Sequence, residues 1–162
     1  MFKLTVQQLE EINEKGLEGF NLMNEEIKLS VCALIIYNGT VLLVKRSPAD
    51  NFLPNVWEFP GGGVKTGESL CSALKRELKE EVDLDISKEE VKLIGVSEEI
   101  SKTDRIKHDI QFNYEIILSS EPTITLSPEH SEYGWATNCD NRFDDFLKDI
   151  LKQSNPCKEW LK

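Results

Sequence analysis

Three glutamates share one face of a predicted helix near the middle of the chain. Apolar residues recur at helical spacing from Glu68 to Val82, and Glu77, Glu80 and Glu81 stand at positions i, i+3 and i+4 within this segment. Like charges at this spacing destabilise an isolated helix by roughly 0.2 to 0.5 kcal/mol per pair, so a bound cation would explain the cluster. Carboxylate oxygens suit Mg²⁺ or Mn²⁺, whose remaining ligands are commonly water and substrate phosphates. The pattern therefore indicates a divalent metal site.

A simpler interpretation is a solvated helix face, on which Arg76 and Glu80 make an ordinary i, i+4 ion pair. The segment immediately before the helix favours chemistry instead, because Pro60-Gly61-Gly62-Gly63 places three glycines there. Glycines permit positive φ angles and a close backbone approach at a helix start, where an anion can bind. Read together, the glycines and the acidic helix predict a site for a metal ion and phosphate groups.

The spacing of these residues resembles the Nudix box. The match consists of Gly62, five residues, Glu68, seven residues, and then Arg76-Glu77-Leu78-Lys79-Glu80-Glu81-Val82-Asp83-Leu84. The preceding Trp57 to Gly61 segment looks like the MutT-type branch of that family. One position departs from the pattern, since Asp83 stands where the family usually has glycine. Asp tolerates the left-handed conformation at a helix end, so we expect the helix to stop there.

The resemblance implies an α/β/α sandwich with a mixed sheet, and hydrolysis of a nucleoside diphosphate linked to another moiety. It assigns metal binding to Glu77, Glu80, Glu81 and the Gly61 carbonyl, with Mg²⁺ or Mn²⁺ as the cofactor. The metal would neutralise charge on the phosphate oxygens and help to deprotonate the attacking water. Arg76 would form the family's structural ion pair with Glu68.

The general base is open, because the resemblance allows it on the box helix or on a later loop. The loop candidates lie in the acidic segment before Trp135. Glu129 is the first candidate and Glu132 the second, while His130 is interpreted as structural or solvated rather than catalytic.

Several residues near the box could contact an anionic substrate. Arg46 and Lys65 supply positive charge, Phe59 could stack on a base or belong to the core, and Gly62 and Gly63 offer backbone contacts to phosphate. A nucleoside triphosphate, ordinary or oxidised, is the favoured substrate, with the monophosphate and pyrophosphate as products. The alternatives are a nucleotide sugar or ADP-ribose, a non-catalytic ligand-sensing module, and an acidic protein-interaction module.

The remaining sequence predicts one mixed α/β domain over residues 28–162, preceded by a helical extension over residues 1–27. Asn38-Gly39 between two apolar runs predicts a hairpin, and residues 45–56 an irregular loop. Pro60 to Gly63 should interrupt regular structure. The predicted strands are Leu29–Tyr37, Thr40–Val44, Val91–Val96, Asp109–Leu118 and Tyr133–Ala136, and the last helix is Asp144–Lys152.

Charge and length exclude several classes of function. The 162 residues carry 19 Lys and Arg against 29 Asp and Glu, a net charge of −10, which disfavours binding to nucleic-acid polymers or anionic membranes. The four cysteines have no C-x-x-C spacing, so a zinc site or a disulfide scaffold is disfavoured. We expect a cytoplasmic protein that binds a small nucleotide as a monomer or homodimer.

Overall fold

Seven strands and two α-helices account for the regular structure of the part of the chain that the computed structural model describes, residues 26–102 and 106–161. The strands are β1 (Glu26–Tyr37), β2 (Thr40–Arg46), β3 (Trp57–Glu58), β4 (Gly61–Gly63), β5 (Val91–Lys102), β6 (Ile106–Ile117) and β7 (His130–Ala136). The helices are α1 (Leu70–Val82), α2 (Asp145–Leu151) and a final 3₁₀ turn (Lys158–Leu161). None of the helices in these ranges is long and apolar enough to cross a bilayer.

The strands form a mixed sheet in the order β3-β2-β1-β6-β5, with β4 paired to β1 and β7 paired to β2. β1 and β6 run parallel from Glu26 opposite Lys107 to Ile36 opposite Ile117, while β5 lies antiparallel to β6. The predicted hairpin between β1 and β2 is confirmed. Asn38 and Gly39 both have positive φ, 48° and 74°, as a two-residue type I′ turn requires.

Alternation along β1 divides the hydrophobic core into two layers. Leu29, Val31, Ala33 and Ile35 pack with α1, whereas the intervening Cys32, Leu34 and Ile36 pack with α2. The helices fit these layers because each presents an apolar face: Leu70, Leu74 and Leu78 are fully buried on α1, and Leu147, Ile150 and Leu151 are buried on α2. The predicted α/β/α sandwich with a mixed sheet is therefore confirmed.

The glycine segment does not interrupt the sheet as predicted. Gly61–Gly63 forms β4, which pairs antiparallel with Ser30–Cys32 of β1. The approach is possible because Gly61 has φ 156° and no side chain, since a Cβ there would lie 2.1 Å from the Val31 carbonyl oxygen. Because Gly61 has no side chain, the loop can approach β1 closely enough to pair with it.

Other element boundaries differ modestly from the predictions. β5 continues to Lys102, β7 begins at His130, and α1 starts at Leu70 because the Ser69 hydroxyl caps it by accepting from the Ser72 N–H at 3.2 Å. The predicted helical extension lies outside the described residues, apart from residues 26–27, which begin β1.

Candidate active site

Helix α1 ends with its C-cap at Asp83, two residues after Glu81. Asp83 adopts the left-handed conformation, with φ 55° and ψ 31°, and the Leu84 N–H donates to the Leu78 carbonyl at 3.1 Å. The Asp83 carboxylate also pairs with Lys79. The expectation that aspartate can replace the usual glycine is confirmed.

Arg76 connects the glycine loop to this helix. Its guanidinium donates two bonds of 2.8 Å to the Glu68 carboxylate, one to each oxygen, and a further bond of 2.9 Å to the Gly63 carbonyl. The bidentate geometry accounts for the pKa of Glu68, which hydrogen bonding to Arg76 lowers to about 2. The ion pair implied by the resemblance is present, and its geometry makes Arg76 a positioning residue.

Arg76 also contacts two of the predicted metal ligands. Its Nη1 lies 2.6 Å from Glu77 Oε1 and 3.3 Å from Glu80 Oε2. The Glu77 side chain is mostly buried, with 13% exposed, whereas that of Glu80 is 58% exposed. Of the two, Glu80 is therefore the freer to change its position.

Gly62 makes room for the Glu77 carboxylate. A Cβ on Gly62 would lie 2.5 Å from Glu77 Cδ and 2.6 Å from its Oε2, closer than such atoms can approach. A side chain at position 62 would therefore displace the Glu77 carboxylate from this position, which gives that glycine a steric explanation.

Glu81 is the most buried of the three box glutamates, with 6% of its surface exposed. Its Oε2 accepts a hydrogen bond of 2.9 Å from the Gly61 N–H. The pKa of Glu81 is raised to about 8, mainly by burial and also by the charges of Glu58 and Glu77, while His130 and the Gly61 N–H oppose the rise. Arg76 pairs with Glu77 and Glu80, and no salt bridge to Glu81 is found among the described residues.

The donor set fits a hard divalent cation. Glu77, Glu80 and Glu81 supply carboxylate oxygens beside the Gly61 backbone, and a cation would relieve the repulsion among the buried carboxylates. Among the described residues, no three acidic, histidine or cysteine side chains already converge as a metal cage. Arg76 engages Glu77 and Glu80, and the Gly61 N–H engages Glu81, so a cation shared by the three carboxylates would require these side chains to turn.

Glu58 is a neighbour that the sequence analysis missed. Its Oε1 accepts from Arg46 Nη1 at 3.1 Å and lies 3.0 Å from His130 Nε2. The His130 side chain is 1% exposed, and its Nδ1 has no hydrogen-bond partner in the described part of the chain. An acidic residue between Trp57 and Phe59, in an otherwise apolar strand, was the available signal.

The structure separates the two candidates for a loop base. Glu129 is exposed, and its backbone carbonyl accepts from the Ser47 N–H at 2.8 Å, which ties its loop to the end of β2. Glu132 instead pairs with Lys45 at 2.8 Å on the adjoining strand. His130 is buried against Glu58 rather than solvated. Among the described residues, Glu129 has no ion-pair partner, whereas Glu132 does.

The predicted substrate residues differ in exposure and in the contacts they make. Arg46 is engaged: it contacts Asp50 at 2.6 Å as well as Glu58, and it donates to the Phe52 carbonyl at 2.9 Å. Lys65 and Gly63 are exposed. Arg46 is thus part of an internal ion-pair network, and its positive charge is already balanced by Asp50 and Glu58.

A cleft of about 160 Å³ opens beside the site, between β1, β4, β6 and α2. Arg46, Glu58, Gly61 and Gly62 line the side toward the carboxylates. Phe59 is a core residue with 5% exposure, and it also lines this cleft. Phe146 and Gln111 line it as well, and the sequence analysis did not identify either residue.

Comparison with known proteins finds a matching family model and several relatives of similar sequence or structure. The NUDIX domain family model matches residues 26–153. Nucleoside triphosphatase NudI of Escherichia coli is 33% identical over 110 residues, which cover 65% of this chain and 78% of that protein. The MutT NUDIX hydrolase of Burkholderia pseudomallei superimposes with a TM-score of 0.66 at 25% identity, over 81% of this chain and 100% of that one.

A lower-identity structure supports the fold alone. The NUDIX domain of Shewanella oneidensis NrtR, complexed with ADP ribose, gives a TM-score of 0.60 at 19% identity, over 90% of this chain and 96% of that one. The family match, the box geometry and the sandwich agree. The chain therefore belongs to the NUDIX domain family, as a MutT-type Nudix pyrophosphohydrolase.

Proposed function

We propose that this protein hydrolyses a nucleoside triphosphate to the monophosphate and pyrophosphate in a metal-dependent reaction. The observation that carries the proposal is the placement of Glu77 and Glu81 against the backbone of Gly61 and Gly62, two residues that also line the neighbouring cleft. The likeness to nucleoside triphosphatase NudI supports a triphosphate as the substrate.

Glu77, Glu80, Glu81 and the Gly61 carbonyl would hold Mg²⁺ or Mn²⁺. When bound, the cation supplies charge neutralisation on the phosphate oxygens and a lower pKa for bound water. Arg76 keeps the glycine loop and α1 in register through Glu68 and Gly63, so that the backbone and carboxylates face the same substrate. Lys65 is exposed and would supply positive charge to a phosphate, and Gly63, whose carbonyl accepts from Arg76, would offer its N–H.

The bond that breaks is the anhydride between the α- and β-phosphates. A water oxygen bonds to phosphorus, the bridging oxygen leaves with the electron pair, and the water proton passes to a base. We assign that base to Glu129, because its carboxylate is exposed while Glu132 is paired with Lys45. Substitution of Glu129 by Gln should therefore lower kcat more than it raises KM.

The test is incubation of the purified protein with a panel of nucleoside triphosphates, nucleotide sugars, ADP-ribose and dinucleoside polyphosphates, with Mg²⁺ or with EDTA. We expect turnover of a triphosphate with Mg²⁺ and none with EDTA. Turnover restricted to ADP-ribose or a nucleotide sugar would replace the proposed substrate class. Nucleotide binding without turnover in Mg²⁺ or Mn²⁺ would indicate a ligand-sensing module.

A further inference from the structure

The face of β6 that lies toward α2 is polar although it is buried. Gln111, Asn113 and Glu115 alternate with Phe112 and Tyr114, which belong to the α1 core. Asn113 is 0% exposed and Glu115 4% exposed. Burial of polar groups costs free energy unless they are hydrogen-bonded, so a polar row under a helix requires an explanation.

Glu115 and Asn113 are accounted for by internal partners. Glu115 accepts a hydrogen bond from the Ser154 hydroxyl at 2.5 Å. The Asn113 amide donates to Ser97 Oγ at 2.9 Å and to Gln153 Oε1 at 2.8 Å. These bonds orient the Asn113 carbonyl oxygen toward Cys32 and Gln111.

Gln111 is fixed by this network at its nitrogen end. Its Nε2 donates to Asn113 Oδ1 at 2.9 Å and lies 3.4 Å from Cys32 Sγ. Cys32 is buried and donates its own S–H to Asn113 Oδ1 at 3.2 Å. Gln111 Oε1 accepts no hydrogen bond from the described residues, and Gln111 lines the cleft next to the active site. The residue thus offers the cleft a hydrogen-bond acceptor.

A second acceptor comes from Glu58 on the other side of the cleft. Arg46 and His130 both contact its Oε1, while its Oε2 accepts no bond within the described ranges. Phe59 and the half-exposed Phe146 add aromatic surface to the same lining. A flat ring system carrying N–H donors matches a cleft that combines aromatic surface with two acceptors.

We propose that this cleft binds the nucleobase and that Gln111 is a specificity-determining residue, whose Oε1 accepts a hydrogen bond from an exocyclic amino group. The inference rests on the proposed function, in that the phosphates occupy the adjoining carboxylate site. Adenine, cytosine and guanine carry such an amino group. Uracil and hypoxanthine place a carbonyl oxygen where cytosine and adenine have it, and two facing acceptors repel each other.

The experiment is calorimetric titration of the full-length protein with two matched pairs of nucleoside monophosphates, CMP with UMP and AMP with IMP. In at least one pair we expect the amino-bearing member to bind about tenfold more tightly, the effect of one well-formed hydrogen bond and the avoided repulsion. Equal or reversed affinities in both pairs, or no binding of any of the four, would overturn the proposal.

Two variants assign the preference to Gln111. Gln111→Met keeps the length of the side chain but removes its acceptor, so we expect it to abolish the difference within the pair. Asp109→Asn, on the same strand but outside the cleft lining, should retain the preference. A Gln111→Met protein that keeps the wild-type ratio contradicts the assignment, and the wild-type ratio itself does not depend on how the variant folds.

Monophosphate binding separates this inference from the proposed function, because it requires no turnover. An amino-group preference that depends on Gln111, in a protein that hydrolyses no triphosphate, supports the inference and rejects the proposed function. Triphosphate hydrolysis without any amino-group preference supports the proposed function and rejects the inference.

Discussion

Glu81 combines burial, a hydrogen bond to the Gly61 backbone and two neighbouring carboxylates. Glu81→Gln keeps the size and the acceptor for Gly61 but removes the charge, so we expect the fold to survive. The turnover number with Mg²⁺ should fall by about two orders of magnitude or more, since metal stabilisation of transition-state charge is worth several kcal/mol. Steady-state kinetics and thermal melting measure both effects.

The control is Glu90→Gln, which removes a charge from an exposed position outside the site. It should leave both turnover and melting temperature near wild type. Glu80→Gln should resemble Glu81→Gln. A wild-type rate for Glu81→Gln would reject the metal-ligand assignment.

Gly62 provides an independent steric test of the same carboxylates. Gly62→Ala introduces a Cβ 2.5 Å from Glu77 Cδ, so the glutamate must move and turnover should fall at least tenfold. Gly63→Ala meets no atom within 4 Å and should cause a much smaller loss. Similar activities for the two variants would show that the position of Glu77 is unimportant.

Single residues were predictable from the sequence where a fixed spacing identified them. The box pattern located Glu68, Arg76 and the glutamates of α1. Glu58 and Gln111 were missed because their roles depend on partners far away in the sequence, His130 for Glu58 and Cys32 for Gln111. An alternating polar residue on a strand normally indicates a solvated face, and the packing of α2 makes this face a buried one.

At the scale of elements, one ion pair holds the glycine loop to α1. The pKa of Glu68 is about 2 in the folded protein, below its ordinary value of 4.5. The stabilisation from this carboxylate is therefore complete above pH 4.5 and is lost as the pH falls toward 2. In Glu68→Gln, the loss of unfolding free energy that comes from protonation of this carboxylate should be absent. Denaturant unfolding at pH 7 and pH 3.5 measures that loss.

The informative quantity is the change in unfolding free energy between those two pH values. We expect a larger decrease in the wild type than in Glu68→Gln. The exposed Glu121→Gln serves as the matched control and should behave like the wild type. Equal decreases in wild type and Glu68→Gln would contradict the lowered pKa.

The end of α1 gives a second prediction at this scale. Asp83 occupies the left-handed region, which costs a β-branched residue roughly 1 to 2 kcal/mol. Asp83→Val should therefore lower the unfolding free energy by about 1 to 2 kcal/mol, whereas Asp83→Gly should retain or raise it. Chemical denaturation distinguishes the two, and equal stabilities would show that the cap conformation is unimportant.

Elements with strong periodic patterns were predictable from the sequence, whereas the short strand β4 and its pairing with β1 were not. β1, β2 and β6 have apolar alternation or continuous β-rich runs, and α1 has an apolar face at helical spacing. β4 consists of three glycines, so no side-chain pattern marks it as a strand. β4 can pair with β1 because Gly61 has no Cβ, which would otherwise collide with the β1 backbone.

At the scale of the whole molecule, the active site lies where the two core layers meet. The carboxylates come from α1 on one face of the sheet, while the cleft is completed by Leu147 and Ile150 of α2 on the other. β4 lies between them and contributes to both. A nucleotide bound with its phosphates at α1 and its base near α2 would therefore need the complete sandwich.

Product analysis by ³¹P NMR, with a nucleoside triphosphate, Mg²⁺ and the intact protein, tests the central claim most directly. We predict that the nucleoside monophosphate and pyrophosphate appear in equal amounts, and that EDTA or Glu81→Gln suppresses both. Orthophosphate with the nucleoside diphosphate as the primary products, or hydrolysis at an undiminished rate in EDTA, would contradict the account.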